Sequence, residues 1–142
     1  MIRLMQTKDI EQVAELEKEC FSMPWSESLL QKEVDNENSL FCVCDIDSRI
    51  AGYAGMYFIP PEADIANVAV TKDFRGRGIA GDILTFMFDK AGESGITEFT
   101  LEVRISNASA IKLYERLGFQ NEGIRKNFYD NPKEDACIMW KR

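Results

Sequence analysis

The sequence predicts an α/β protein in which helices are layered on a mixed sheet. Short apolar runs, typical of strands, occur between longer stretches whose apolar residues lie three or four positions apart, as in helices. Their order is strand, two helices, three strands, helix, strand, helix and two strands. The two strand–helix–strand segments, around Gly78 and around Asn107, have the arrangement of parallel crossovers, so part of the sheet should be parallel.

The N-terminal part of the chain is predicted to hold one edge strand, over residues 2–5, and two helices. Thr7 is suited to capping the first helix, because its hydroxyl can accept a free N–H of the first turn. Met23-Pro24-Trp25 ends that helix, and Ser26 can cap the second. The predicted inward positions are Ile10, Val13, Ala14, Leu16, Cys20 and Phe21 in the first helix, and Leu29, Leu30 and Val34 in the second.

Three strands are predicted next, over residues 39–45, 49–59 and 63–70. Asp47-Ser48 has the composition of a turn between the first two strands, and Pro60-Pro61 ends the second. A helix opens in the glycine-rich segment 76–81 and extends to about Glu93.

The C-terminal part is predicted to hold three more strands and a helix. Residues 98–104 alternate strictly, with one face formed by Phe99, Leu101 and Val103 and the other by Thr100, Glu102 and Arg104. Asn107 can cap the helix that follows. The inner stripe of this helix is Ala110, Ile111, Tyr114 and Leu117. One strand follows Gly118-Phe119, and the last strand covers residues 136–140.

Length and composition favour a single domain over residues 1–142, with 45% hydrophobic residues as in globular proteins. No apolar stretch has the length of a transmembrane helix, and the N-terminus lacks the apolar core of a signal peptide. We therefore expect a cytoplasmic protein that does not bind membranes. The oligomeric state is left open by the sequence.

The chain contains no histidine, which excludes Ser-His-Asp and Cys-His catalysis and the usual zinc enzymes. The cysteines are Cys20, Cys42, Cys44 and Cys137, and they have no Cys-x-x-Cys spacing. We expect small buried thiols and no metal site. Any catalysis must use carboxylates, tyrosine, cysteine, lysine or backbone groups. A cysteine nucleophile is disfavoured because no cysteine lies near the segments 75–80 and 107–119 described below.

Acidic residues are concentrated in the first half of the chain. Residues 1–62 hold 12 acidic and 5 basic side chains, residues 63–142 hold 12 of each, and the net charge is −7. This distribution argues against a nucleic-acid-binding protein. It suits a protein that meets a cationic partner on one side and a phosphate-bearing ligand on the other. The alternative is that the acidic excess serves only solubility.

The strongest local signal is the segment 67–81, in which a strand leads through a basic loop into a glycine-rich helix start. Free backbone N–H groups and the helix dipole form an anion site there, and Lys72, Arg75 and Arg77 add positive charge. The segment is neither a Walker loop nor a good dinucleotide fingerprint. The alternative is a glycine-rich helix start without a ligand.

Two spaced segments resemble motifs of the GNAT superfamily of acetyl-CoA-dependent N-acetyltransferases. Residues 75–80 (Arg-Gly-Arg-Gly-Ile-Ala) resemble its Arg/Gln-x-x-Gly-x-Gly/Ala motif, and residues 107–119 resemble its Asn-x-x-Ala-x-x-x-Tyr-x-x-x-Gly-Phe segment. Within the superfamily the chain is most similar to the ribosomal-protein-alanine N-acetyltransferase (RimI) family. That likeness is carried by residues 23–26, 101–104, 106–108, 124–129 and 134–136.

The resemblance implies the GNAT fold, a mixed, mostly antiparallel sheet of about six or seven strands flanked by about four helices. It implies acetyl-CoA as co-substrate, Glu102 as general base and Tyr114 as general acid. The implied cofactor contacts are Val68, Ala69 and Val70 toward the pantetheine arm, Arg75, Gly76, Arg77, Gly78, Ile79, Ala80 and Gly81 around the pyrophosphate, and Asn107. Two departures are Ala80, where many relatives have glycine, and Gly76, where RimI proteins often have a basic residue.

The chemistry of the residues agrees with these implied roles. An α-amine has a pKa near 8 and must lose a proton before it attacks a thioester, and without histidine a carboxylate is the natural base. Glu102 then needs a raised pKa or a water relay, whereas an ion pair with Arg104 on the same strand face would lower its pKa. The alternatives are that Glu102 is a solvated strand residue and Tyr114 a core aromatic residue.

For the acceptor, the resemblance implies the N-terminal alanine of a small-subunit ribosomal protein with a basic tail. Trp25 and Tyr129 could hold its first residues, although either could belong to the core. An acidic rim would attract such a basic peptide. The competing functions are acetylation of a small amine or a lysine side chain, binding of CoA without turnover, and an acidic interaction protein without a cofactor.

Overall fold

The structure, a computed structural model, describes all residues from 1 to 142. Its strands are β1 (Ile2–Leu4), β2 (Ser39–Ile46), β3 (Arg49–Ile59), β4 (Glu62–Val70), β5 (Glu98–Arg104), β6 (Gln120–Tyr129) and β7 (Glu134–Lys141). Its helices are α1 (Ile10–Cys20), α2 (Glu27–Val34), α3 (Ile79–Gly92) and α4 (Ala108–Arg116). None of the helices combines the length and apolar character needed to cross a bilayer.

The seven strands form one sheet in the order β1-β2-β3-β4-β5-β7-β6, which confirms the predicted mixed sheet. Only β4 and β5 are parallel neighbours, and α3 connects them as predicted. The second predicted crossover differs in form, because β7 lies between β5 and β6 and pairs with both. The final hairpin inserts its second strand into the sheet, and the order of elements along the chain does not reveal such an insertion.

The predicted Thr7 cap is wrong. Residues 7–9 form a short 3-10 turn, and α1 begins at Ile10. The carboxylate of Asp9 accepts the N–H of Gln6 at 2.8 Å and also accepts two hydrogen bonds from Arg3 on β1. Asp9 therefore organises the start of the chain, because it satisfies backbone and side-chain donors at once.

Two of the predicted inward positions are exposed. Phe21 lies beyond the last residue of α1 and is 37% exposed, and Leu29 in α2 is 45% exposed. Leu30 is fully buried, as predicted, and the Ser26 side chain accepts the N–H of Leu29, which confirms the cap. Because α2 has only eight residues, the face that it buries is narrow.

The apolar core lies on both faces of the sheet. α3 and α4 cover one face, where the larger cluster includes Leu84, Met87, Leu101 and Met139. α1 and α2 cover part of the other face around Tyr53. The remainder of that second face, over β4 and β5, is left uncovered by helices, and the polar side chains of these strands face solvent there.

An irregularity in β4 prepares a cleft. The register of β3 and β4 shifts between the pairs Gly55–Asn67 and Met56–Ile65, so that Ala66 is an extra residue in β4. β4 and β5 are paired only over the first four residues of each strand, as far as Ile65 and Leu101. Beyond this point β4 stays with β3 and β5 stays with β7. The two neighbouring strands therefore separate in the middle of the sheet.

Candidate active site

Two grooves open along the cleft between β4 and β5. The groove that we call the Glu102 groove is lined by the α1–α2 segment, β4, β5 and the β6–β7 hairpin. The groove that we call the Ala80 groove is lined by β4, the start of α3 and α4. The side chains that line both are Cys20, Phe21, Val68, Asn107 and Tyr114. The two grooves therefore meet at these residues.

The turn from Gly76 to Gly81 leads into α3 beside the Ala80 groove. None of the backbone N–H groups from Gly76 to Gly81 donates a hydrogen bond within the chain. Gly76 and Gly78 adopt φ of +79° and +77°, and a Cβ on either would meet nothing within 4 Å. Glycine is favoured at both positions by backbone conformation. Such a row of free N–H groups at the positive end of a helix suits a phosphate group.

The two arginines of the turn have different surroundings. Arg75 lines the Ala80 groove, and its Nε donates to the carbonyl of Val70 at 3.0 Å. Arg77 lies over the ring of Phe74, 4.9 Å from the ring centroid, and lines neither groove. Of the predicted basic contacts, Arg75 is therefore the one that faces the cleft.

β4 presents an unpaired backbone edge to the cleft. Beyond Ile65 it pairs only with β3, so the other edge of residues 67–70 has no partner strand. Val68, Ala69 and Val70 all line the Ala80 groove. An extended ligand that carries amide groups can add to such an edge in the manner of a strand.

Glu102 is half-buried in the Glu102 groove. Burial raises the pKa of its carboxyl, the carboxylate of Asp64 raises it further, and Arg125 lowers it. The net result is a raised pKa. Arg125 Nη1 lies 3.7 Å from Glu102 Oε1, an ion-pair distance that is too long for a hydrogen bond. A carboxylate with a raised pKa is a stronger base than a solvated glutamate.

Arg104 does not pair with Glu102. Its guanidinium contacts Glu134 at 3.1 Å and donates to two backbone carbonyls of the β6–β7 hairpin at 2.9 and 3.2 Å. It also lies 4.4 Å from the ring centroid of Tyr129. Arg104 therefore fastens the hairpin to β5 and holds Tyr129 at the Glu102 groove, and the effect on Glu102 that its spacing suggested is absent.

Tyr114 lies where the two grooves meet. It is 8% exposed, and its ring packs edge-on against Phe119. Burial, with a contribution from Tyr129, raises the pKa of its hydroxyl to about 12, so the hydroxyl is protonated at neutral pH. The neighbouring Asn107 caps α4 by accepting the N–H of Ala110 at 3.2 Å through Oδ1. This leaves the amide NH₂ of Asn107 free at the junction of the grooves.

A buried carboxylate holds the opposite wall of the Glu102 groove. Glu17 in α1 is fully buried and accepts the backbone N–H of Trp25 at 2.8 Å and Asn67 Nδ2 at 3.0 Å. It also accepts the hydroxyl of Tyr53. The Trp25 ring packs 6.0 Å from that of Phe41 and lines the groove. Glu17 thus ties the α1–α2 segment to β4.

The structure brings most of the predicted site residues into the two grooves. Those that line the Glu102 groove are Trp25, Glu102, Asn107, Tyr114 and Tyr129. Those that line the Ala80 groove are Val68, Ala69, Val70, Arg75, Ala80, Asn107 and Tyr114. Gly76, Gly78, Ile79 and Gly81 belong to the adjoining turn and the first turn of α3. Arg77 stands apart from both grooves.

Four residues of the site were missed by reasoning from the sequence. The Cys20 sulfur lies 3.7 Å from the carbonyl oxygen of Val70, although Cys20 is distant along the chain from the segments 75–80 and 107–119. Asp64 and Arg125 have no signal in the sequence that connects them to Glu102. Glu17 had a signal in the sequence, because it lies four residues after Val13 on the apolar side of α1, where a charged residue is unusual.

The comparisons with known proteins agree with this geometry. The acetyltransferase (GNAT) family profile matches residues 10–119. The [ribosomal protein bS18]-alanine N-acetyltransferase of Salmonella typhimurium is 36% identical over 140 residues, which cover 97% of this chain and 94% of that protein.

Solved structures agree as well. The ribosomal-protein-S18-alanine N-acetyltransferase from Escherichia coli has a TM-score of 0.90 and 32% identity, covering 99% of this chain and 92% of that one. The PaiA N-acetyltransferase from Thermoplasma acidophilum, solved with coenzyme A, shares the fold at a TM-score of 0.85 and 21% identity, covering 100% and 98%. The chain therefore belongs to the GNAT acetyltransferase family, and it is an N-acetyltransferase related over its whole length to the alanine N-acetyltransferases of the RimI family.

Proposed function

We propose that this enzyme transfers the acetyl group of acetyl-CoA to the N-terminal α-amine of an alanine, and that the acceptor is a small-subunit ribosomal protein. The observation that carries the proposal is the junction at Tyr114, where a groove suited to the cofactor meets a groove that holds Glu102. The relative from Salmonella is named for a ribosomal-protein alanine, which supports the same acceptor class.

The Ala80 groove fits the parts of acetyl-CoA, which supplies the acetyl group as a thioester. The free N–H groups of residues 76–81 suit the pyrophosphate, with Arg75 as the nearest positive charge. The unpaired edge of residues 68–70 suits the amides of the pantetheine arm, and the free amide of Asn107 faces the same passage. Arg77 contributes through the positive charge of the turn rather than through a contact.

Glu102 is proposed as the general base. The N-terminal amine is mostly protonated at neutral pH and must lose a proton to become a nucleophile. The carboxylate of Glu102, with its raised pKa, accepts that proton directly or through a water molecule. The amine then attacks without a covalent enzyme intermediate.

Tyr114 is proposed as the general acid. Its hydroxyl is protonated and makes no hydrogen bond within the chain, so it is free to donate to the departing sulfur. The position of Tyr114 at the junction of the grooves suits this role, because the proton is required where acceptor and cofactor meet.

The acceptor is proposed to enter the Glu102 groove between Trp25 and Tyr129, which lie on opposite walls. The acidic N-terminal half of the chain would favour the approach of a basic peptide. A ribosomal acceptor implies that the enzyme works in the cytoplasm. We also propose that residues 1–142 form one catalytic domain, because a single sheet extends from Ile2 to Lys141.

Acetyl transfer from acetyl-CoA to two peptides tests the proposal. One peptide begins Ala-Arg, has a basic sequence and a free α-amine. The other has the same sequence with a blocked N-terminus and an internal lysine. Product on the first peptide alone is expected. Product on the lysine would instead indicate a side-chain acetyltransferase. CoA binding without product on either would indicate a small-amine enzyme or a non-catalytic CoA-binding protein.

A further inference from the structure

Asp64 is an unpaired carboxylate on the strand next to that of Glu102. It lies on β4 opposite Thr100 of β5, and Glu102 follows two residues later on the same face of the sheet. Where strands are paired, side chains in such a diagonal relation are roughly 7 to 8 Å apart, and Glu102 lies one residue beyond the last pair. Asp64 forms no ion pair within the chain, and it is accessible to solvent.

The point at which the strands separate lies between these two carboxylates. β4 and β5 are paired as far as Ile65 and Leu101, so Asp64 precedes the point of separation and Glu102 follows it. On its other side Asp64 is opposite Tyr57 of β3, whose ring is 6.4 Å from the ring of Trp25. Asp64 therefore neighbours, across the strands, the tyrosine that packs near Trp25.

The two carboxylates share a single cation. Arg125 lies 3.7 Å from Glu102 and is the one basic side chain that acts on Asp64. Burial raises the pKa of both carboxyl groups, and Asp64 adds to the effect on Glu102. With both carboxylates ionised and one arginine beside them, these three side chains together carry a net negative charge, which suits a cationic acceptor.

With one exception, the other groups around Glu102 are ion-paired, hydrogen-bonded or uncharged. They are Arg104 and Glu134, which pair with each other, Tyr114 and Tyr129, whose pKa values are each about 12, Glu17, which is hydrogen-bonded to Trp25 and Asn67, and Ile138 opposite on β7. The exception is Asp130 in the hairpin, which lines the groove and forms no ion pair. Of the two unpaired carboxylates on β4, Glu62 and Asp64, only Asp64 acts on Glu102.

We propose that Asp64 is a positioning residue of the acceptor site, which attracts the ammonium group of the acceptor and, by repelling the neighbouring carboxylate, favours transfer of a proton to Glu102. The inference rests on the proposed role of Glu102. In the step, one N–H bond of the ammonium breaks and one O–H bond forms on Glu102. The total charge of the ammonium and the two carboxylates is unchanged, and Asp64 does not touch the reacting atoms.

The pH dependence of kcat/KM in Asp64→Asn tests the inference with an Ala-Arg peptide. Loss of the charge is expected to move the acidic limb to lower pH by about one unit, as expected for two charges at this separation. Above that limb kcat/KM is expected to fall about fivefold, because the groove attracts the ammonium less. In Asp64→Glu, which keeps the negative charge, both the acidic limb and kcat/KM should stay close to those of the unsubstituted enzyme. Glu62→Gln is the matched control, since Glu62 lies on the same strand and face but farther from Glu102.

A titration of the Glu102 carboxyl by NMR, without substrates, supplies a readout that is independent of turnover. The midpoint is expected about one pH unit lower in Asp64→Asn and unchanged in Glu62→Gln. Unchanged midpoint and pH profile in Asp64→Asn would overturn the inference. So would a rise in KM confined to peptides with a basic second residue, which would make Asp64 a side-chain subsite. A moved midpoint in a protein that acetylates no α-amine would refute the proposed function and leave the coupling intact.

Discussion

At Glu102, residues from two other strands and the walls of a groove set the basicity of one carboxylate. Burial and Asp64 raise the pKa of Glu102, and Arg125 lowers it. Because Arg125 is 3.7 Å away and makes no hydrogen bond to Glu102, the raising effects prevail. A glutamate on an open strand would be a much weaker base toward an amine whose pKa is near 8.

Replacement of this carboxyl tests its role directly. Glu102→Gln is expected to lower kcat on an Ala-starting peptide about 10²-fold or more, because the amide cannot accept the proton, while CoA affinity stays nearly unchanged. Steady-state kinetics and calorimetric CoA binding measure the two effects. Glu98→Gln, on the same strand and face but at the closed end of the cleft, serves as the control. Unchanged turnover in Glu102→Gln would remove Glu102 from the mechanism.

Tyr114→Phe removes one hydroxyl and keeps the ring that packs against Phe119. We expect kcat to fall about 10- to 10²-fold, since the departing sulfur loses its proton donor, while the melting temperature changes little. Single-turnover kinetics and thermal unfolding check these effects. A large loss of stability with kcat unchanged would make Tyr114 a core residue only.

At the scale of elements, the turn before α3 is proposed to bind the cofactor through its backbone. Gly78 has φ of +77° and faces open space, so Gly78→Asp places a side chain and a negative charge where the free N–H groups point. We expect loss of CoA binding by calorimetry. Gly95→Asp is the matched control, because Gly95 has φ of +84° and equally open surroundings but lies away from the cleft. Normal CoA binding by folded Gly78→Asp would show that the loop is assigned wrongly.

Glu17 joins three elements, and its replacement is expected to lower the stability of the fold. In Glu17→Gln the amide NH₂ would face the donors from Trp25, Asn67 and Tyr53, so at least one buried donor loses its acceptor. We expect the free energy of unfolding to fall by about 2 to 4 kcal/mol. Urea unfolding measures the change, with the exposed Glu15→Gln as the control. A difference under about 0.5 kcal/mol would show that the cluster is not structural.

Local pattern was sufficient for most of these elements. Strict alternation located β5, and Asn107 and Ser26 cap their helices as predicted. Local pattern failed where a residue distant along the chain determines the partner of a side chain. Asp9, held by Arg3 of β1, accepts the backbone N–H at the start of the first helical segment in place of Thr7. Arg104 pairs with Glu134 instead of with Glu102. A partner 30 residues away on a strand that inserts into the sheet cannot be identified from spacing.

At the scale of the whole molecule, the sequence predicted the mixed sheet and named most of the residues that line the two grooves, but not how the grooves form. The cleft depends on Ala66 as an extra residue in β4 and on β7 pairing with β5. Both are properties of strand register, and a single extra residue leaves no trace in the hydrophobic pattern. For the same reason the nearness of Asp64 and Arg125 to Glu102 emerged only from the folded chain.

The charge distribution of the whole molecule leads to a prediction about encounter. The net charge of −7 resides in the first 62 residues, which supply the Trp25 wall of the Glu102 groove. We expect kcat/KM for a basic Ala-starting peptide to fall about three- to tenfold between roughly 0.05 and 0.5 M salt, because salt screens the attraction. A neutral peptide of equal length should change less than about twofold. An equal response of the two peptides would assign the acidic excess to solubility alone.

The Ala80 groove and the Glu102 groove differ in whether main-chain or side-chain groups line them. Toward the Ala80 groove, the main chain of residues 68–70 and 76–81 presents the groups proposed to bind the cofactor, whereas side chains such as Trp25 and Tyr129 form the surface around the Glu102 groove. Substitutions that preserve the course of the backbone leave the first groove intact and remodel the second. A few point mutations could therefore change which acceptor an enzyme of this kind uses, while the acetyl donor stays the same. Acceptor preference should diverge faster among related enzymes than donor preference.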